Sequence, residues 1–110
     1  SFLKSGDRID VLYAHNDDMA LGAIQAIKDA GLKPGEDIII IGVDAVKGAF
    51  EAMVAGEMNV TVECNPQLGP QLAEAIDMLM KGETLPKWIP TIEGVFPQET
   101  AADELPTRQY

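Results

Sequence analysis

The sequence predicts an α/β fold built on a mainly parallel sheet. Short β-branched runs alternate with segments whose apolar residues recur at helical spacing. The strongest run, Ile38-Ile39-Ile40-Ile41-Gly42-Val43, lacks polar alternation, as strands buried on both faces do. Gly, Pro or Asn closes most of these segments, so the order strand, helix, strand, helix, strand, helix is legible.

The first strand is Ile9 to Ala14, a short and mostly apolar run. Asn or Asp in His15-Asn16-Asp17-Asp18 can cap a helix. That helix places Ala20, Ala23, Ile24 and Ile27 on one face and stops at Gly31. Lys33 to Asp37 reads as a turn, and Ile38 to Val43 as the second strand, ended by Asp44. A second helix runs from near Val46 to Ala55, with Phe50, Met53 and Val54 expected to face inward. Val60 to Cys64 forms a third strand, halted by Asn65-Pro66. A third helix carries Leu68, Leu72, Ile76, Leu79 and Met80 and closes at Gly82. Beyond it the chain is rich in Pro and ends in a polar tail, with a short last strand expected around Thr91 to Phe96.

At 110 residues the chain fits one small domain. Its 46% hydrophobic and 24% charged residues exclude a fully disordered chain. Six aromatics leave the core to Ile, Val, Leu, Ala and Met. The net charge of −10 disfavours nucleic acid and anionic membrane surfaces as partners. One cysteine, Cys64, forbids an intrachain disulfide. The chain starts at Ser1 with no signal segment, which suggests processing or a piece of a longer protein.

In parallel sheets ligands sit beyond the carboxyl ends of the strands. Here those ends carry His15 to Asp18, Asp44, and Glu63 to Asn65. Asn16 offers two donors and an acceptor, and Asp17, Asp18, Asp44 and Glu63 offer carboxylates. A polyhydroxylated ligand needs that mix, because each hydroxyl both donates and accepts. The plainer alternative has Asp17 or Asp18 capping the first helix and Asp44 the second. Catalysis finds less support. His15 is the only histidine, which excludes a multi-histidine metal site. A Cys64–His15 nucleophile pair lacks any family spacing. An acidic cation or phosphoacceptor pocket would rest only on Asp17, Asp18 and Asp44. Gly42-Val43-Asp44 lacks the further glycines of a dinucleotide loop, so no cofactor is expected.

The block Tyr13-Ala14-His15-Asn16-Asp17-Asp18-Met19-Ala20-Leu21-Gly22-Ala23 resembles the periplasmic sugar-binding proteins of the ribose/galactose type. In that family a strand ends in Asn-Asp before a Met-Ala-x-Gly-Ala helix. The resemblance continues through Ile40 to Ala45, Glu51 to Glu57 and Thr61 to Glu63, in the family's order. Ala14 to Asp18, Gly31 to Gly35 and Val62-Glu63 look closest to its galactofuranose-binding branch. Such proteins have two doubly wound lobes joined by three crossing segments, with the sugar between them. The resemblance implies the type I periplasmic-binding-protein-like fold for the last third or so of the family's length, and so a partial doubly wound parallel sheet. Residues 1–65 would be part of the second lobe. Residues 66–82 would be the crossover helix that packs on the first lobe, and 83–110 the return strand and tail.

By that resemblance Asn16 and Asp44 match the family's ligand-binding Asn and Asp. The family's third position, an amide at the crossover, falls on Cys64, so Glu63 or Asn65 is expected to reach the ligand instead, with Asp17 a further candidate. The implied function is carbohydrate binding without chemistry in the periplasm, delivering a monosaccharide to an ABC transporter permease. The alternative is the effector-binding region of a lactose-repressor-like regulator, although such proteins usually carry Gly-Phe-Asp where this chain has Gly42-Val43-Asp44. With no first lobe of its own, the Leu68-Leu72-Ile76-Leu79 stripe is expected to need the missing portion of the protein or a second copy of the chain.

Overall fold

A computed structural model describes residues 2–110. Strands β1 (Val11–Tyr13), β2 (Ile39–Asp44), β3 (Val60–Glu63) and β4 (Val95–Pro97) form one sheet in the order β1-β2-β3-β4. The first three are parallel, and β4 runs antiparallel to β3. Helices α1 (Asp17–Asp29) and α2 (Lys47–Val54) make the crossovers. Helix α3 (Gly69–Met80) follows β3, and α4 (Ala101–Glu104) is a single turn near the end.

Local chemistry sets the boundaries. Asn16 is extended (φ −150°, ψ 168°) and its Oδ1 accepts from the Met19 N–H at 2.9 Å, so Asn16 and not Asp17 or Asp18 caps α1. Both aspartates instead add negative charge to the helix's first turn, and Lys28 adds positive charge to its last. Gly31, at φ +78°, turns the chain out of the helix, and the Leu32 N–H bonds back to the Ile27 carbonyl. Helix α2 starts at Val46 with no side-chain cap, so Asp44 does not cap it either. Pro70 sits in the first turn of α3, where its missing N–H costs nothing.

The core lies on one face of the sheet only. Ile38 and Ile40 point there, and register aligns Leu12 with Ile40 and Gly42 with Thr61 and Phe96. Helix α1 covers this face with Ala20, Ile24 and Ile27, and α2 with Ala49, Phe50, Ala52 and Met53. The opposite face is bare. Val11, Tyr13, Ile39, Val62 and Val95 are all exposed, Ile39 to 47%. The two-sided burial expected for the isoleucine run, and the buried character expected of β1, are therefore corrected. Half of the apolar pattern has no partner within this chain. Val54, expected inward, is also exposed, because it falls on the outer side of the last turn of α2. Helix α3 buries none of its residues. The radius of gyration is 18.1 Å, against roughly 13 Å for a compact domain of this length.

Two departures concern the carboxyl-terminal part. The last strand is antiparallel and starts later than expected. Residues 98–107 are no solvated tail: they form short helical turns, and Ala101 is fully buried.

Candidate functional site

The carboxyl ends of β1, β2 and β3 form a polar rim. Asn16 lies three residues beyond the end of β1, immediately before α1. Asp44 ends β2 and is the register partner of Glu63 at the end of β3. Asn65 lies two residues further on, where the chain leaves the sheet.

Asn16 spends its carbonyl oxygen on the helix cap, which leaves its amide NH₂ as a donor toward the rim. Asp44 has φ +114° and Ala45 has φ +62°. Left-handed backbone at a non-glycine residue costs on the order of 1–3 kcal/mol and persists only where the surroundings enforce it. The Asp44 carboxylate is half-buried and has no hydrogen-bond partner among the described residues. Strained backbone thus presents an unpaired acceptor at a strand end.

Asp17 differs sharply. It is fully buried. The Thr61 hydroxyl donates to its carboxylate at 2.8 Å, and the Val46 N–H donates to Oδ2 at 3.0 Å. Burial pushes this carboxyl above the usual range. Those two hydrogen bonds only partly oppose the rise, and the nearby Asp44 charge adds to it. Within this chain the Asp17 carboxylate is enclosed and takes donors from Thr61 and Val46, so it is not presented at the rim as the sequence expectation of a ligand contact would have it.

Glu63 is the centre of an unforeseen cluster. Arg108 Nη1 donates to its Oε1 at 2.9 Å, the Tyr110 hydroxyl donates to the same oxygen at 2.7 Å, and the Gly94 N–H donates to Oε2 at 3.1 Å. Burial alone would raise the Glu63 carboxyl, but hydrogen bonds from Tyr110, Arg108 and Gly94 outweigh it and hold the group below the usual carboxylate range. Burial, together with the hydrogen bond to Glu63, pushes the Tyr110 phenol up to about 12. The Arg108 guanidinium lies 4.9 Å from the Phe50 ring centroid and 4.6 Å from that of Phe96. A carboxylate has about four acceptor sites, so one remains on Glu63. Asn65 is held by its N–H to Glu93 Oε1 and by its Oδ1 accepting from the Gln67 N–H, which leaves its amide NH₂ available.

Arg108 and Tyr110 were missed from sequence. The aromatic and apolar residues of the supposed tail, Leu105 and Tyr110, were the available signal. Cys64 is a free, exposed thiol, and the ring beside His15 is Tyr13, at 5.7 Å between centroids. Among the described residues no group of three His, Cys, Asp or Glu side chains could hold a metal ion. No helix of the described residues is long and apolar enough to cross a membrane. A groove of about 370 Å³ lined by Leu3, Ile9, Ala23 and Ile38 lies at the amino end of the strands, away from this rim, and is apolar.

An open, mostly parallel α/β sheet with an amide and carboxylates along its carboxyl rim has the frame of α/β proteins that take ligands beyond their strand ends. Residues 1–84 match the family model described as periplasmic binding protein domain, and the chain belongs to that family. The galactofuranose-binding protein YtfQ of Escherichia coli (strain K12) is 42% identical over 96% of this chain and 34% of its own length. The binding-protein component of the arabinose ABC transporter of Shewanella sp. ANA-3, solved with α- and β-L-arabinofuranose, superposes with a TM-score of 0.90 at 50% identity, covering 98% of this chain and 37% of that one. A Mycobacterium smegmatis protein in complex with β-D-fucofuranose gives 0.88 at 48% identity, covering 99% of this chain and 36% of that one. The chain therefore spans about a third of the length of the curated relatives it matches, 34% and 32% for two of them. These relatives are binding proteins rather than enzymes or regulators, so the regulator alternative is not favoured.

Proposed function

We propose that this chain supplies one wall of the binding cleft of a periplasmic protein that takes up a furanose sugar and delivers it, unaltered, to an ABC importer. The observation that carries this is the Asp44 carboxylate, without a hydrogen-bond partner among the described residues and held in left-handed backbone opposite Glu63, on the strand-end rim where Asn16 also lies. A carboxylate accepts from neighbouring sugar hydroxyls, and the Asn16 amide donates to a hydroxyl or ring oxygen. The spare acceptor site of Glu63 or the Asn65 amide supplies a third contact. Support for the furanose form comes from the relatives, three of which are described with galactofuranose, arabinofuranose or fucofuranose.

On this reading residues 1–65 belong to the second lobe. Residues 66–82 cross to the first lobe and lay the Leu68-Leu72-Ile76-Leu79 stripe on it, and residues 83–110 return. The amino-terminal lobe would cover the stripe and close the cleft. A transporter permease would receive the sugar.

The test is calorimetric titration of the two-lobe protein carrying this chain with D-galactose, L-arabinose and D-fucose. The ring form of the bound sugar is read from the ¹³C shift of its anomeric carbon. At least one sugar should bind as a furanose and be recovered unmodified by mass spectrometry. Asp44→Ala should weaken binding roughly 10- to 100-fold, the worth of a hydrogen bond to a charged acceptor. Unchanged affinity in that variant, or binding of none of the three sugars, would overturn the proposal.

A further inference from the structure

The fully buried Asp17 is not the cap of its helix and has no path to a ligand. It is nevertheless the end point of a hydrogen-bond chain that starts at the strained elbow. With Asp44 at φ +114° and Ala45 at φ +62°, two successive N–H groups turn inward. The Ala45 N–H donates to Thr61 Oγ1 at 3.2 Å, and the Val46 N–H donates to Asp17 Oδ2 at 3.0 Å. Thr61 has a single hydroxyl proton and directs it to the Asp17 carboxylate, 2.8 Å from Oδ1 and 3.0 Å from Oδ2. Every arrow of this chain ends on Asp17.

The sheet is shaped to admit that carboxylate. Gly42 lies beneath it, and a Cβ at that position would collide with Asp17 Oδ1 and Met58 Cε. The network also touches each part of the rim. Asp17 adjoins Asn16, Ala45 adjoins Asp44, and Thr61 is two residues before Glu63 on the same strand. A buried carboxylate is costly unless its hydrogen bonds are made. Here the donors that satisfy it are one backbone amide of the elbow, that of Val46, and the Thr61 hydroxyl, which holds the other elbow amide, that of Ala45.

We infer that Asp17 and Thr61 are positioning residues of the sugar site: they hold the Asp44–Ala45 elbow in its left-handed form and so aim the Asp44 carboxylate at the ligand. They touch no sugar themselves. The inference rests on the proposed role of Asp44 as a sugar contact. Its physical content is that left-handed backbone at Asp44 persists because two inward N–H groups have acceptors only in that conformation.

The experiment is a double-mutant cycle in the two-lobe protein, read by calorimetric titration with the three sugars named above. Thr61→Val keeps the side-chain shape and removes the hydroxyl; Thr61→Ser keeps the hydroxyl. Thr61→Val should weaken binding roughly 10-fold, the loss of one well-placed hydrogen bond at Asp44, while Thr61→Ser stays within about 2-fold of the parent. In the Asp44→Ala background Thr61→Val should cause no further loss, because the group it aims is gone. An equal loss in both backgrounds would show a merely structural role and overturn the inference, as would unchanged binding by Thr61→Val. If Thr61→Val does not fold by circular dichroism, Asp17→Asn takes its place in the cycle with the same two outcomes. A neutral Asp44→Ala variant would instead remove the sugar-contact role of Asp44, a separate result.

Discussion

Helices α1 and α3 are both amphipathic, and the structure treats them in opposite ways. The apolar face of α1 disappears into the core, with Ala20, Ile24 and Ile27 buried against the sheet. The Leu72-Ile76-Leu79 stripe of α3 stays in solvent, with Leu72 61% exposed. The difference does not lie in the helices. Helix α1 is tethered between two adjacent parallel strands, so its crossover folds back over the sheet that both strands belong to. Helix α3 leaves β3 through Asn65-Pro66 and lies between strands that are adjacent but antiparallel, so the chain rejoins the sheet at β4 without having to run back over it. Periodicity specifies a face to be buried, whereas connectivity specifies what that face can reach.

The comparison can be tested where it predicts the largest effect first. Phe50 is fully buried, stacked edge-on against Phe96 and beneath Arg108. Phe50→Ala should cost about 3–5 kcal/mol in urea unfolding of the chain.

Glu63→Gln comes next. It removes the charge that Arg108 and Tyr110 surround and should cost about 1.5–3 kcal/mol at neutral pH. The pH dependence has a definite sign. The Glu63 carboxyl is lowered in the folded state, so its stabilisation is full above the ordinary value of 4.5 and is lost as pH falls through the folded value. Asp17 acts oppositely: its raised folded value favours the fold below the ordinary 3.8, a contribution lost as pH rises through the folded value. The Glu63→Gln chain should therefore lose less stability than the parent between neutral pH and pH values below 4.5, as followed by thermal melts. Parallel acid limbs for the two proteins would contradict the arrangement.

Asn16→Ala should cost about 1 kcal/mol in the sugar-free chain through the lost cap alone, measured by the same urea titration. Sugar affinity would fall in addition in the two-lobe protein.

Leu72→Ser should have the smallest effect, within about 0.5 kcal/mol in this chain, because the side chain is already in water. Hydrogen exchange sharpens the contrast, since α3 amides should exchange faster than those of α1 and α2. A loss of 2 kcal/mol or more on Leu72→Ser, of the order of a buried Leu, would mean that the stripe is covered by a second copy of the chain.

Much was legible without a structure. The order of strands and helices followed from β-branched runs, helical spacing and the Gly and Pro between them, all of which are local effects. The strand-end rule then placed Asn16, Asp44 and Glu63 on one rim, and the register of Asp44 with Glu63 agrees with that placement. What tertiary structure alone decided were the roles of groups whose partners are distant in sequence. Asp17 meets Thr61, 44 residues away, and is buried against it while Asn16 caps the helix. Glu63 meets Arg108 and Tyr110, 45 and 47 residues away, and ties the last residues of the chain to the strand-end rim. The isoleucine run announced burial on two faces, yet only one is covered here. A sequence records how apolar a face is, but a hydrogen bond or a packed face also needs a partner, and the fold alone determines which distant residue arrives to be one.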